Sequence, residues 1–134
     1  MVERRKYGLF VETRKSYEDA LTATKEALKA EGFGVLTEID VKETMKQKLG
    51  IEFRRYDIIG ACNPPLAHRA LTTELDIGLL LPCNVIVYEN EEGGSTVAAL
   101  DPQAMMSFTG NPLLEAVASD AKERLQRALQ TLDS

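Results

Sequence analysis

Both cysteines and the only histidine of the chain lie in one stretch, residues 58–89, between two apolar runs that are typical of strands. Cys62, His68 and Cys83 are residue types that bind zinc or copper, and three protein ligands would leave one coordination position open for chemistry or metal transfer. The stretch lacks the paired C-x-x-C spacing of structural zinc sites. A metal- or thiol-dependent enzyme, or a metal carrier, is therefore the alternative hypothesis for this chain.

The sequence provides one argument for a reactive thiol at Cys62 and one argument against it. Cys62 directly precedes a predicted helix start, where a thiolate is stabilised and the pKa of the thiol is lowered. The apolar residues before Cys62 indicate a buried strand, and burial raises the pKa of a thiol. Both interpretations stay open at this point.

Two chain reversals in the same stretch predict a binding site for a small ligand. Asn63-Pro64 is a typical helix start, and the free N–H groups at such a helix end bind anions. Leu81-Pro82-Cys83 forms the second reversal. If the adjoining strands are neighbours, both reversals surround one hollow, and a polar or anionic ligand would bind there. The predicted ligand-binding residues are Cys62, Asn63, Pro64, His68, Pro82 and Cys83. The structural alternative is that Asn63 only caps its helix.

The elements that must position these reversals follow from side-chain periodicity and from helix caps. Apolar runs and alternation predict strands at 7–13, 33–39, 53–62, 84–88 and 96–100, with a turn at 91–94. Cap residues predict helices after Ser16, Asp40, Asn63 and Asn111, whereas 75–81 is ambiguous and 103–110 is predicted as a loop. This pattern predicts one α+β domain over residues 1–134, with an antiparallel sheet of about five strands and helices on one face.

Composition excludes several functional classes. The chain has 134 residues, of which 44% are hydrophobic and 28% charged, as in ordinary globular proteins. Its formal charge of −5 argues against general affinity for nucleic acid. No apolar run is long enough to span a membrane, and none follows the N-terminal charges as in a signal peptide. We therefore expect a cytoplasmic protein with reduced cysteines, no nucleic-acid partner and no membrane association.

Three motifs carry a family resemblance, namely Asn63-Pro64, Leu81-Pro82-Cys83 and Asp101-Pro102, in this order. Over nearly the whole chain, the sequence resembles the bacterial and archaeal domain-of-unknown-function family 302. The resemblance implies a β-α-β(4)-α sandwich similar to the TATA-binding-protein half-repeat, usually assembled as a dimer, and it implies no agreed activity. We therefore expect a homodimeric small-ligand-binding or regulatory module without a cofactor. The residues from Met105 to Phe108 are either a flexible lid or, as we prefer, a dimer contact.

Overall fold

The computed structural model describes residues 1–133 and contains a six-stranded antiparallel sheet. The strands are β1 (Glu3–Arg5), β2 (Gly8–Thr13), β3 (Gly34–Asp40), β4 (Tyr56–Cys62), β5 (Cys83–Glu89) and β6 (Ser95–Leu100). Their order across the sheet is β1-β2-β6-β5-β4-β3, and every neighbouring pair is antiparallel. The predicted α+β class is confirmed. The sixth strand is β1, a three-residue edge strand of charged residues.

Five α-helices connect or cover the strands. They are α1 (Tyr17–Ala30), α2 (Val41–Leu49), α3 (Pro64–Thr73), α4 (Pro102–Thr109) and α5 (Glu115–Gln130). The predicted caps of the first three are confirmed, since the side chains of Ser16, Asp40 and Asn63 each accept a hydrogen bond from a backbone N–H three residues on. The ambiguous segment after α3 forms a 3₁₀ helix, Leu75–Leu80.

The prediction of a loop at 103–110 is wrong, because this segment contains α4. Asp101 caps α4 by accepting a hydrogen bond from Gln103 N at 3.0 Å, and Pro102 occupies the first helical position. The Asp101 side chain is fully buried and also accepts hydrogen bonds from Arg4 Nε at 2.7 Å and Lys122 Nζ at 3.2 Å. A charged network therefore holds the start of α4 against β1 and α5.

One face of the sheet forms the main hydrophobic core. Residues that pair across antiparallel strands share a face, and Leu9, Ala99, Val85 and Ile59 form one such buried row. A second row runs parallel to it through Val11, Val97, Val87 and Asp57. Helices α1 and α5 contribute Leu28, Leu125 and Leu129 to the same core. These two helices therefore pack on the predicted single face.

The opposite face carries a third row that stays partly exposed. It consists of Phe10, Ala98, Ile86, Ile58 and Ile39, which pair in this order from β2 to β3. Ile58 and Ile86 are half-buried and Ile39 is 49% exposed. Every residue of β3 is exposed, although this strand carries Val35 and Leu36 besides Ile39.

Candidate functional site

The two predicted reversals lie at one cavity of about 360 Å³. Strands β4 and β5 pair with Ala61 opposite Cys83, so the end of one strand meets the beginning of the next. Cys62 and Asn63 line the cavity from the first reversal, and Pro82 and Cys83 line it from the second. The Leu81-Pro82 peptide bond is cis. The structure therefore brings together four of the six predicted residues.

Pro64 and His68 are not part of the cavity wall. Both are exposed residues of α3, four positions apart on one side of that helix. The cavity is lined instead by the other side of α3, through Leu66, Ala67, Ala70 and Leu71. Cys62, His68 and Cys83 accordingly do not surround one common space. Within residues 1–133, no group of three or more His, Cys, Asp or Glu side chains is arranged to hold a metal ion.

Most of the wall comes from residues that the sequence did not indicate. Helix α4 contributes Met105 and Met106, and the last helical segment contributes Val117, Ala118 and Ala121. The alanines of α3 and α5 are the sequence signal that could have indicated a cavity between these two helices. They occupy buried helix faces where a core normally holds larger side chains, and their small size leaves space between the two helices.

A β-bulge supplies one further wall residue. The pairing of β3 with β4 shifts between Val35 and Thr37, so Leu36 has no partner opposite it. Leu36 lines the cavity although it is 66% exposed, which places an edge of the cavity at the protein surface beside β3.

The end of α3 offers no free backbone N–H group for an anion. Pro64 and Pro65 have none, Leu66 N donates to Asn63 Oδ1 at 3.3 Å, and Ala67 N donates to the Asn63 carbonyl at 2.8 Å. These groups already have partners within the protein, so this helix end gives no support to the predicted binding of an anion, which stays a prediction. The Asn63 amide is also engaged, because Nδ2 donates to the Glu31 carbonyl at 3.3 Å. The oxygen of the Asn63 side chain therefore caps α3, and its nitrogen bonds to the end of α1.

The two cysteines are free thiols at the cavity wall. Burial raises the pKa of Cys83 to about 11, and the neighbouring Cys62 adds to this shift. Cys83 is therefore a protonated thiol at neutral pH, and a protonated thiol is a poor nucleophile. This result favours the packing role of Cys83 over nucleophilic thiol chemistry.

Comparison with known proteins shows the family of the chain and a solved structure with a similar fold. The family model described as "Domain of unknown function DUF302" matches residues 9–132. The chain belongs to the DUF302 family. Its fold is similar to that of a solved structure described as "Crystal structure of uncharacterized conserved protein DUF302 from Bacillus stearothermophilus", with 29% sequence identity and a TM-score of 0.88. The similarity covers 96% of this chain and 99% of that one. Comparison with curated proteins finds no match.

The cavity lies entirely within the part of the chain that the DUF302 model matches. All of its lining residues fall between Phe33 and Ala121, whereas the match extends from 9 to 132. The family match also confirms the resemblance that the three motifs predicted. Neither description names an activity, so the function of this DUF302 protein has to be argued from the cavity itself. Within residues 1–133, no helix combines the length and apolar character needed to cross a bilayer.

Proposed function

We propose that the protein is a cytoplasmic homodimer that binds a small organic ligand in the cavity between the Asn63 and Pro82 reversals, as a binding or regulatory module. The observation that carries the proposal is the cavity, whose volume of about 360 Å³ lies in the range of small-molecule sites. Its wall is formed jointly by the ends of two strands and by three helices. In many binding sites, strands and helices hold the loops that contact the ligand in a fixed position, as they hold the two reversals here.

A panel of probes tests ligand binding by the shift in melting temperature, because a ligand that binds only the native state raises it. The panel contains octanoate, indole, inorganic phosphate, ZnCl₂ and CuCl₂. Ala118→Leu fills part of the cavity, and Ala116→Leu makes the same change two residues away at an exposed position of α5. We expect an organic probe to stabilise the wild type and Ala116→Leu but not Ala118→Leu.

Two results of this panel would contradict the proposal. One is that no probe shifts the melting temperature of the wild type, and the other is that a shift is equal in all three proteins. Stabilisation by ZnCl₂ or CuCl₂ alone, abolished in Cys62→Ser and Cys83→Ser, would favour the alternative of a metal-dependent protein.

The partly exposed apolar row of the sheet supports the homodimer. The row from Phe10 to Ile39 crosses five strands and reaches the surface at Ile39 on the edge strand β3. Contiguous apolar surface of this kind is typical of interfaces, and an exposed edge strand is a template for pairing. A second copy would present the same row, as a two-fold interface requires.

Sedimentation equilibrium tests the homodimer with a charged substitution. Ile39→Lys puts a cation at an exposed position of the row, and Thr22→Lys puts one on the exposed side of α1 as a control. We expect the wild type and Thr22→Lys to sediment at twice the chain mass and Ile39→Lys at the mass of one chain. A wild type that stays monomeric at all concentrations would refute the dimer. A dimeric Ile39→Lys would exclude this row as its interface.

A further inference from the structure

The cavity wall contains no charged side chain. Its residues are Leu, Val, Ala, Met, Pro, Phe and Gly, together with Cys62, Asn63 and Cys83. We infer that the part of the ligand inside the cavity is an uncharged aliphatic chain. This inference rests on the proposed ligand-binding function and names the class of ligand.

The polar side chains of the wall offer little hydrogen bonding to a polar ligand. Asn63 uses its carbonyl oxygen for Leu66 N and its amide nitrogen for the Glu31 carbonyl. Cys62 and Cys83 are thiols, which are weak hydrogen-bond donors. A polar or charged group that enters this space loses its hydration without a replacement hydrogen bond, which costs several kcal/mol. An aliphatic chain has no such penalty and gains from leaving water.

The side chains of the wall also fit a flexible chain better than a rigid planar ring. Met105 and Met106 are half-buried on α4, and methionine adapts its three rotatable bonds to ligands of different shape. Phe33 is the only aromatic residue of the wall, so stacking on a ring is limited to one side.

Exposed apolar side chains extend beyond the wall on the same elements. Leu75 begins the 3₁₀ helix after α3, Phe108 lies near the end of α4, and Leu113 follows Asn111, and all three are at least 73% exposed. Asn111 Nδ2 donates to Glu74 Oε1 at 3.0 Å, which holds the segments of Leu113 and Leu75 next to each other. A free fatty acid and the acyl chain of a membrane lipid share the required chemistry, and this apolar surface is compatible with either source.

A homologous series of ligands tests the inference by isothermal titration calorimetry. Hexanoate, octanoate and decanoate differ by two methylene groups at each step, and octanedioate has the length of octanoate with a charge at both ends. Burial of a methylene group increases affinity about fourfold, so we expect an increase of about 15-fold at each step until the cavity is filled. We expect no measurable binding of octanedioate.

Methyl NMR and matched variants locate the binding. Decanoate should shift the methyl resonances of Met105 and Met106 but not that of Met45, which lies on α2 outside the cavity wall. Ala118→Leu should reduce the affinity at least tenfold, and Ala116→Leu should leave it unchanged. If Ala118→Leu does not fold, Ala67→Leu fills the cavity from α3, with Ala30→Leu at an exposed position of α1 as its control.

The outcomes separate this inference from the proposed function. Binding of octanedioate as strong as that of octanoate, or cavity binding of phosphate alone, would overturn the aliphatic class and leave the ligand-binding function standing. Absence of binding by every compound of both panels would refute both. Vesicles of phosphatidylcholine distinguish the two sources of the chain. If the protein co-sediments with the vesicles and Phe108→Ser abolishes this, the chain comes from a membrane lipid. If the protein binds alkanoates but does not co-sediment, the chain is free.

Discussion

Asp57 is a carboxyl group at the end of a buried apolar row, and its replacement by asparagine should remove a pH dependence of stability. The row runs through Val11, Val97 and Val87, and Asp57 is only 3% exposed. Within residues 1–133, its Oδ2 atom has no hydrogen-bond partner. An ionised Asp57 therefore leaves a buried oxygen unsatisfied, whereas a protonated one can donate a hydrogen bond to Glu38.

The structure gives both the sign and the size of the effect. The pKa of Asp57 is raised from 3.8 to about 7, first by burial and then by its hydrogen bond to Glu38 and the charge of that residue. Folding therefore takes up a proton between these two values. The stabilisation is complete below pH 3.8 and is lost as the pH rises through 7, at about 1.4 kcal/mol per pH unit.

Glu38 acts in the opposite direction. Hydrogen bonds with Asp57 and Lys25 lower its pKa, so its contribution to stability is present above its ordinary pKa of 4.5 and is lost in acid. Above about pH 5 the change in stability therefore comes from Asp57. We expect the free energy of unfolding to fall by about 3 kcal/mol between about pH 5 and about pH 8, mostly below pH 7.

Urea unfolding followed by far-ultraviolet circular dichroism measures this change. Asp57→Asn is neutral at every pH, and its amide can donate to Glu38 as the protonated carboxyl does. Its stability relative to the wild type should therefore rise by about 3 kcal/mol between about pH 5 and about pH 8. Glu26→Gln, at an exposed position of α1, changes the charge equally and should follow the wild type. An Asp57→Asn protein with the wild-type slope would refute the reasoning.

Three further substitutions test the supports of the cavity by urea unfolding. Asp101→Asn should lose about 2 kcal/mol at neutral pH by weakening the bonds from its two cationic partners. Burial raises the pKa of Asp101, but the bonds from Arg4, the Gln103 backbone and Lys122 outweigh burial and lower it, so the loss should shrink in acid. Asn63→Ala should lose about 1 kcal/mol with the cap, and an unchanged stability would show that the cap is dispensable. Gly60→Ala should lose about 2 kcal/mol because its Cβ would collide with Thr37 and Pro82, and wild-type stability would contradict this packing.

Local chemistry explains which elements could be predicted. The caps Ser16, Asp40 and Asn63 act on residues three positions away, so their pattern is visible in the sequence. Strand β1 has no apolar alternation, and it is held by its pairing with β2 and by the ion pair of Arg4 with Asp101, which are both contacts to distant residues. The Asp101-Pro102 step is a local helix start like Asn63-Pro64, so the beginning of α4 was visible in the sequence, whereas the contacts of Asp101 with β1 and α5 were not.

The candidate site also has features that the sequence predicts and features that depend on distant contacts. Consecutive strands are usually neighbours, so the meeting of the two reversals was predictable. A feature already present in the sequence weakens the anion hypothesis, because Pro65 removes a second N–H group after Pro64. The apolar character of the site was not predictable, since Leu36, Met105 and Ala118 reach it only through the bulge and the packing of α4 and α5.

The size of the cavity is itself an argument for an occupant. A closed cavity destabilises a protein by about 24 cal/mol per Å³, which sets an upper limit of about 9 kcal/mol for a volume of about 360 Å³. The opening beside Leu36 lowers this figure, because water can enter there. Total stabilities are only about 5–15 kcal/mol, so even a fraction of the limit is large. Leucine at Ala67 or Ala118 would reduce the void by a single substitution. The alanines at both positions leave space that a ligand can fill, and the leucine variants at these positions should gain stability as they lose binding.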